Sequence, residues 1–133
     1  MQYVDSSALV KRYVTEPDSD LNQRLLDADQ DWITAAIAEV EVRRVLAIRL
    51  HGTSLSEARA DFLRDWERMA VVAVDASTLG QAAALAERTQ VRSLDAIHLA
   101  ALARAGSRST RLVTFDVRLA AAARSLGWAV VGA

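Results

Sequence analysis

The sequence predicts an α/β protein of three layers, α/β/α, with a central parallel sheet of about five strands. Three observations carry this expectation. Short β-branched runs alternate with longer helical stretches along the whole chain. Hairpin turn chemistry is scarce, so successive strands are joined by helices rather than tight turns. A length of 133 residues, 52% hydrophobic, suits one core in one domain spanning residues 1–133.

The first strand is Gln2-Tyr3-Val4-Asp5, and Ser6 or Ser7 is placed to cap the helix that follows. Pro17, the only proline, marks where that helix has ended. Residues 21–26 form a second helix, stopped at Asp27-Ala28-Asp29, and Trp32-Ile33-Thr34 is a short strand. Residues 35–50 make a long helix that closes at His51-Gly52. Ser54 and Glu57 have the spacing of a capping box for a helix over 55–69. The run from Ala70 to Val74 predicts a buried strand. A helix over 75–88 follows, then one over 94–105 capped by Ser93 and closed by Gly106. Residues 111–114 are strand, 117–126 helix before Gly127, and 128–131 the last strand.

Composition excludes several chemistries. With no cysteine there is no disulfide, thiolate nucleophile or cysteine zinc site. No Gly-rich phosphate loop or HExxH motif occurs. The N-terminus lacks a basic segment followed by an apolar one, and no apolar run approaches the roughly 18 residues of a membrane span. A cytoplasmic protein with no membrane contact is expected. Net charge is −1, unlike a duplex-coating protein, although a basic rim can coexist with an acidic centre.

Four acids stand out: Asp5, Glu41, Asp95 and Asp116. Asp5 and Asp116 follow strands, where open α/β sheets bind ligands, and 111 residues separate them. Glu41 shares a helical stripe with Ile37 and Val45, whereas Glu39 has Arg43 at i+4 and points to solvent. Asp95 opens a helix that carries His98 one turn later, so both can face one cleft. Asp75 also ends a strand and is read as a plain N-cap. His98 is read first as a structural hydrogen-bonding residue. Carboxylates placed this close together repel unless a cation joins them. Mg²⁺ or Mn²⁺ suits an all-oxygen set and points to metal-assisted phosphodiester chemistry. Arg43, Arg44, Arg92 and Arg118 are candidate phosphate contacts.

The chain also resembles the PIN-domain ribonucleases, most closely the VapC-type toxins of toxin–antitoxin pairs. The likeness lies in Tyr3-Val4-Asp5-Ser6-Ser7-Ala8-Leu9-Val10-Lys11, Glu41-Val42-Arg43-Arg44-Val45-Leu46, Leu94-Asp95-Ala96-Ile97-His98-Leu99-Ala100-Ala101 and Val113-Thr114-Phe115-Asp116-Val117-Arg118-Leu119, in family order. The resemblance implies a Mg²⁺/Mn²⁺ site at Asp5, Glu41, Asp95 and Asp116, with catalysis carried by the same four. It implies endonucleolytic cleavage of RNA, a homodimer, and inhibition by a cognate antitoxin whose tail enters the groove. A binding module on the same fold and a small-substrate phosphatase are the competing readings. The phosphatase would want an acid where Ser7 stands. A Ser-His-Asp hydrolase using Ser7 or Ser93 with His98 lacks the strand–turn–helix context of a nucleophile.

Overall fold

The computed structural model describes all 133 residues, Met1–Ala133. In chain order the elements are β1 (Gln2–Val4), α1 (Ser6–Tyr13), α2 (Ser19–Asp27), β2 (Trp32–Ala35), α3 (Ile37–Arg49), α4 (Gly52–Trp66), β3 (Ala70–Val72), α5 (Ala76–Thr89), α6 (Ser93–Ala105), β4 (Arg111–Thr114), α7 (Val117–Ser125) and β5 (Ala129–Gly132). The five strands form one sheet in the order β3-β2-β1-β4-β5. Every pairing is parallel. The predicted α/β/α architecture is the observed one.

Alternation along the central strands sorts the two faces. Val4 and Val113 point into a core built with α1 to α4, around Leu9, Leu26, Val42, Leu46 and Phe62. Tyr3, Ile33, Ala35 and Leu112 point the other way, onto Leu99 and Leu102 of α6 and Leu119 and Ala123 of α7. α5 packs on α6 through small residues, Ala82 against Ala96 and Ala100. β1 lies in the middle, paired with β2 on one side and β4 on the other.

Five local expectations need correction. β3 is not buried: it is an edge strand with Ala70 and Val71 exposed, because a β-branched run reads alike at the edge and centre of a sheet. Ser54 caps nothing. Gly52 takes a left-handed φ of 56° and opens α4, which puts Ser54 inside the first turn. At α1 the cap is Asp5, with Ser6 and Ser7 already helical, and at α6 it is Arg92 rather than Ser93. The helix expected from residue 35 starts two residues later, since Ala35 completes β2.

The last strand meets the site closely. Gly132 has φ 104°, and a Cβ there would lie 2.3 Å from the carbonyl oxygen of Thr114. Only glycine lets β5 run this near the end of β4.

Candidate active site

The strand order turns back between β1 and β4, and ligand crevices of open α/β sheets form at such points, beyond the carboxyl ends. Asp5 follows β1 there, and Asp116 lies two residues past the end of β4. Both are N-caps. Asp5 Oδ1 accepts from the Ala8 N–H at 3.1 Å, and Asp116 Oδ1 accepts from the N–H groups of Arg118 and Leu119. Capping and a role in the site are therefore compatible at these positions.

Two hydroxyls join the strand ends. Ser7 Oγ donates to Asp5 Oδ1 at 2.7 Å and accepts from the Phe115 N–H. Thr114 Oγ1 donates to Asp5 Oδ2 at 2.7 Å and accepts from the Asp116 N–H. Sequence reasoning weighed Ser7 only as a cap or a nucleophile and gave Thr114 no role. Their signal was position alone: one hydroxyl two residues after the first acid, the other two before the last. Asp5 itself is 4% exposed and has only these hydroxyl and amide partners. Burial pushes its pKa up, against the pull of the His98 charge and its hydrogen bonds. It is a buried carboxylate without a counter-ion in contact.

Glu41 comes from the first half of α3 and is half-buried, as its stripe predicted. Its Oε1 accepts from Ser6 Oγ at 2.6 Å and from His98 Nε2 at 2.7 Å. The other ring nitrogen, Nδ1, lies 2.7 Å from the Tyr3 hydroxyl. His98 is 3% exposed, so burial works to lower its pKa. Glu41, Asp5 and Asp95 overcome that and raise it above the ordinary 6.5. Burial works to raise the pKa of Glu41, but the His98 hydrogen bond and charge bring it below 4.5. The two shifts agree on an ion pair.

Asp95, 7% exposed, sits in the first turn of α6. Its Oδ2 accepts from Arg92 Nε at 3.0 Å, and Asp116 Oδ2 accepts from Arg92 Nη2 at 2.7 Å. One guanidinium thus spans two of the four acids. Arg43 pairs with Glu39 at 2.9 Å on the solvent side of α3. Asp75 caps α5 and pairs with Arg104, as a structural residue should. Two grooves flank the acids. One of about 480 Å³ is lined by Lys11, Glu41, Arg44, Leu94 and Phe115 among others. The other, about 680 Å³, runs past Asp95 between Arg88, Arg92 and Arg118.

The four acids belong to one network. Asp5, Glu41 and Asp95 act together on His98; Arg92 ties Asp116 to Asp95, and Thr114 ties it to Asp5. The donors fit a hard divalent cation in kind, being all oxygen, with a buried Asp5 that has no counter-ion in contact among them. In position they are not yet assembled: nowhere do three acidic or imidazole side chains stand together as a ready-made ion site. Asp95, Asp116 and Glu41 each give an oxygen to an internal cation instead.

The Glu41–His98 pair makes a pH prediction. The raised His98 contributes stability fully below its ordinary 6.5, lost as pH climbs through its folded value. The lowered Glu41 contributes above 4.5, lost as pH falls through its folded value. Without metal, Glu41→Gln should therefore melt below wild type most clearly between those two pH values, with the gap closing on the alkaline side. A proton NMR titration should place the wild-type His98 above 6.5 and the variant's lower. Identical titrations would refute the pairing.

A family model described as PIN domain matches residues 2–125. Ribonuclease VapC46 of Mycobacterium tuberculosis is 40% identical over 129 residues, which cover 97% of this chain and 95% of the relative. Among solved structures, Mycobacterium tuberculosis VapC20, a sarcin–ricin loop cleaving toxin, superposes with a TM-score of 0.76 at 19% identity over 96% of both chains. A toxin–antitoxin complex from Klebsiella pneumoniae gives 0.68 at 14% identity over 87% of each.

Proposed function

Because the chain belongs to the PIN-domain family, we propose that it is a metal-dependent endoribonuclease, the toxin of a toxin–antitoxin pair. The observation that carries the reading is the buried Asp5, with no counter-ion in contact, at the β1/β4 switch point, linked through His98, Thr114 and Arg92 to three further acids. The relatives named as ribonucleases and toxins support the activity, and the toxin–antitoxin complex supports an inhibitory protein partner. We assign the work to the cytoplasm, and homodimerisation is carried over as a family expectation. No helix is long and apolar enough to cross a membrane.

Asp5, Glu41, Asp95 and Asp116 are the residues that would hold Mg²⁺ or Mn²⁺. When bound, such an ion supplies an activated water and neutralises charge on the phosphate under attack. The chain does the rest. Ser7 and Thr114 fix both oxygens of Asp5, so its carboxylate does not rotate. Ser6 and His98 both bond Oε1 of Glu41, which leaves Oε2 over for a ligand. Glu41 raises the pKa of His98 against its burial, which favours positive charge beside the acids in the metal-free protein. Arg44 and Arg118, on the rims of the two grooves, are placed to meet phosphates on either side of the cut.

The test is cleavage of a mixed cellular RNA pool by purified protein with Mg²⁺, with Mn²⁺ and with EDTA. Discrete cuts are expected with either ion, and a loss of at least about a thousandfold in EDTA. Cutting that persists in EDTA would overturn the metal reading.

A further inference from the structure

We propose that Arg92 is a built-in stand-in for the cation: its guanidinium holds Asp95 and Asp116 in the metal-free chain and is exchanged for the divalent ion. The inference rests on the functional reading above only in taking those two acids as ligands.

The geometry is specific. Arg92 is the N-cap residue of α6, one turn before Asp95 and beside the mouth of the crevice. Its Nε reaches Asp95 at 3.0 Å while Nη2 of the same planar group reaches Asp116 at 2.7 Å. These acids arrive on different elements, α6 and the N-cap of α7, so the fork clamps two parts of the fold. The Asp95 side chain is only 10% exposed and the Arg92 side chain 57%. The Asp116 side chain is 26% exposed, so both acids are set deeper than the cation that joins them. An exposed guanidinium can swing away; a compact divalent ion with twice its charge can take both oxygens.

The two acids need a partner in both states. Two carboxylates brought to one place repel, and without a counter-ion one would take up a proton. Arg92 supplies the charge until an ion arrives. Its departure leaves a freed guanidinium at the edge of the groove it shares with Arg88 and Arg118. The same exchange accounts for the absence of a ready-made ion site among well-formed hydrogen bonds.

Removing the competitor must tighten the ion. Each exposed pair is typically worth up to about fivefold in an equilibrium constant, so two pairs give an effect on the order of three- to thirtyfold. The experiment is Mn²⁺ titration of purified protein by calorimetry, without RNA, for wild type, Arg92→Gln, Arg92→Lys and Arg118→Gln. Arg118 lines the same groove, so its variant removes the same charge without touching the clamp. Arg92→Gln is expected to bind Mn²⁺ three- to thirtyfold tighter and Arg118→Gln within about twofold of wild type. Arg92→Lys should fall between, because a point charge does not fork across two carboxylates. Unchanged affinity in Arg92→Gln overturns the exchange, as does an equal gain in Arg118→Gln, which would mean a diffuse field rather than a clamp. No Mn²⁺ binding in any protein overturns both this inference and the metal centre. Tighter binding in Arg92→Gln by a protein that cuts no RNA keeps the exchange and removes the nuclease reading.

Discussion

Asp5→Asn is expected to yield a protein that folds as well as wild type and no longer cuts. The loss of cleavage should be on the order of a thousandfold or more, since one of the four carboxylates proposed to hold the cation is gone. The fold should survive for reasons visible in the contacts. Asparagine caps a helix as well as aspartate, so the Ala8 N–H keeps its acceptor. The Ser7 hydroxyl still donates to the same oxygen. The new amide faces Thr114 Oγ1, which can turn to accept from it while still accepting from Asp116 N–H. Stability should move the other way. The pKa of Asp5 is raised by burial, so its ionised form weighs against the metal-free fold as pH rises above the ordinary 3.8. At neutral pH, metal-free Asp5→Asn should melt at or above wild type, with the difference closing in acid. Added Mn²⁺ should raise the wild-type melting temperature and leave the variant's nearly still. A variant that cuts at the wild-type rate would remove Asp5 from the chemistry. One that melts far lower would show its role to be structural.

The largest stability loss from a single truncation is expected at Phe62→Ala. Phe62 is fully buried beneath α1 to α4, with its ring 5.6 Å from that of Tyr13 and 5.5 Å from that of Trp66. Removing such a ring typically costs about 3–5 kcal/mol, because the cavity collapses only in part. A protein of this size would then melt on the order of 10 °C lower. Tyr13 connects this core to the far end of α1, where it and Arg12 share Asp65. The other end of α1 carries Ser6 and Ser7, which hold Glu41 and Asp5. Well below its melting point the variant should keep wild-type cleavage per folded molecule, checked by thermal unfolding beside the RNA assay. A melting change under about 2 °C would show that this side of the molecule is not packed as described.

The architecture was legible because alternating strand and helix periods leave few topologies. Burial of the strand at Ala70 was not, since Val71 and Val72 look the same at an edge as in the middle. The inward turn of Glu41 and the outward turn of Glu39 could be read from helical spacing, and the solvent-side Glu39–Arg43 pair is as expected. What the spacing did not contain was the cross-chain wiring. Tyr3 to His98, Thr114 to Asp5 and Arg92 to Asp116 join residues distant in sequence: the first needs α6 packed on the sheet, the second the parallel register of β1 and β4, the third the starts of α6 and α7 side by side. Arg92 illustrates the limit. Its bond to Asp95, three residues on, is local; its bond to Asp116 exists only once β4 lies beside β1.

The sheet order also decides when, during synthesis, the four acids can come together. β1 is the first strand synthesised, yet its partner on the side of the crevice is β4, which begins at Arg111. A growing chain that stops short of that residue has Asp5 and Glu41 but neither Asp116 nor the hydroxyl of Thr114 to hold Asp5 in place. Such a fragment cannot assemble the centre, however well its first helices form, because the missing contacts are the longest-range ones and form late. Truncated translation products that lack β4 are therefore expected to cut no RNA, which the RNA-pool assay on a chain ending before Arg111 would check.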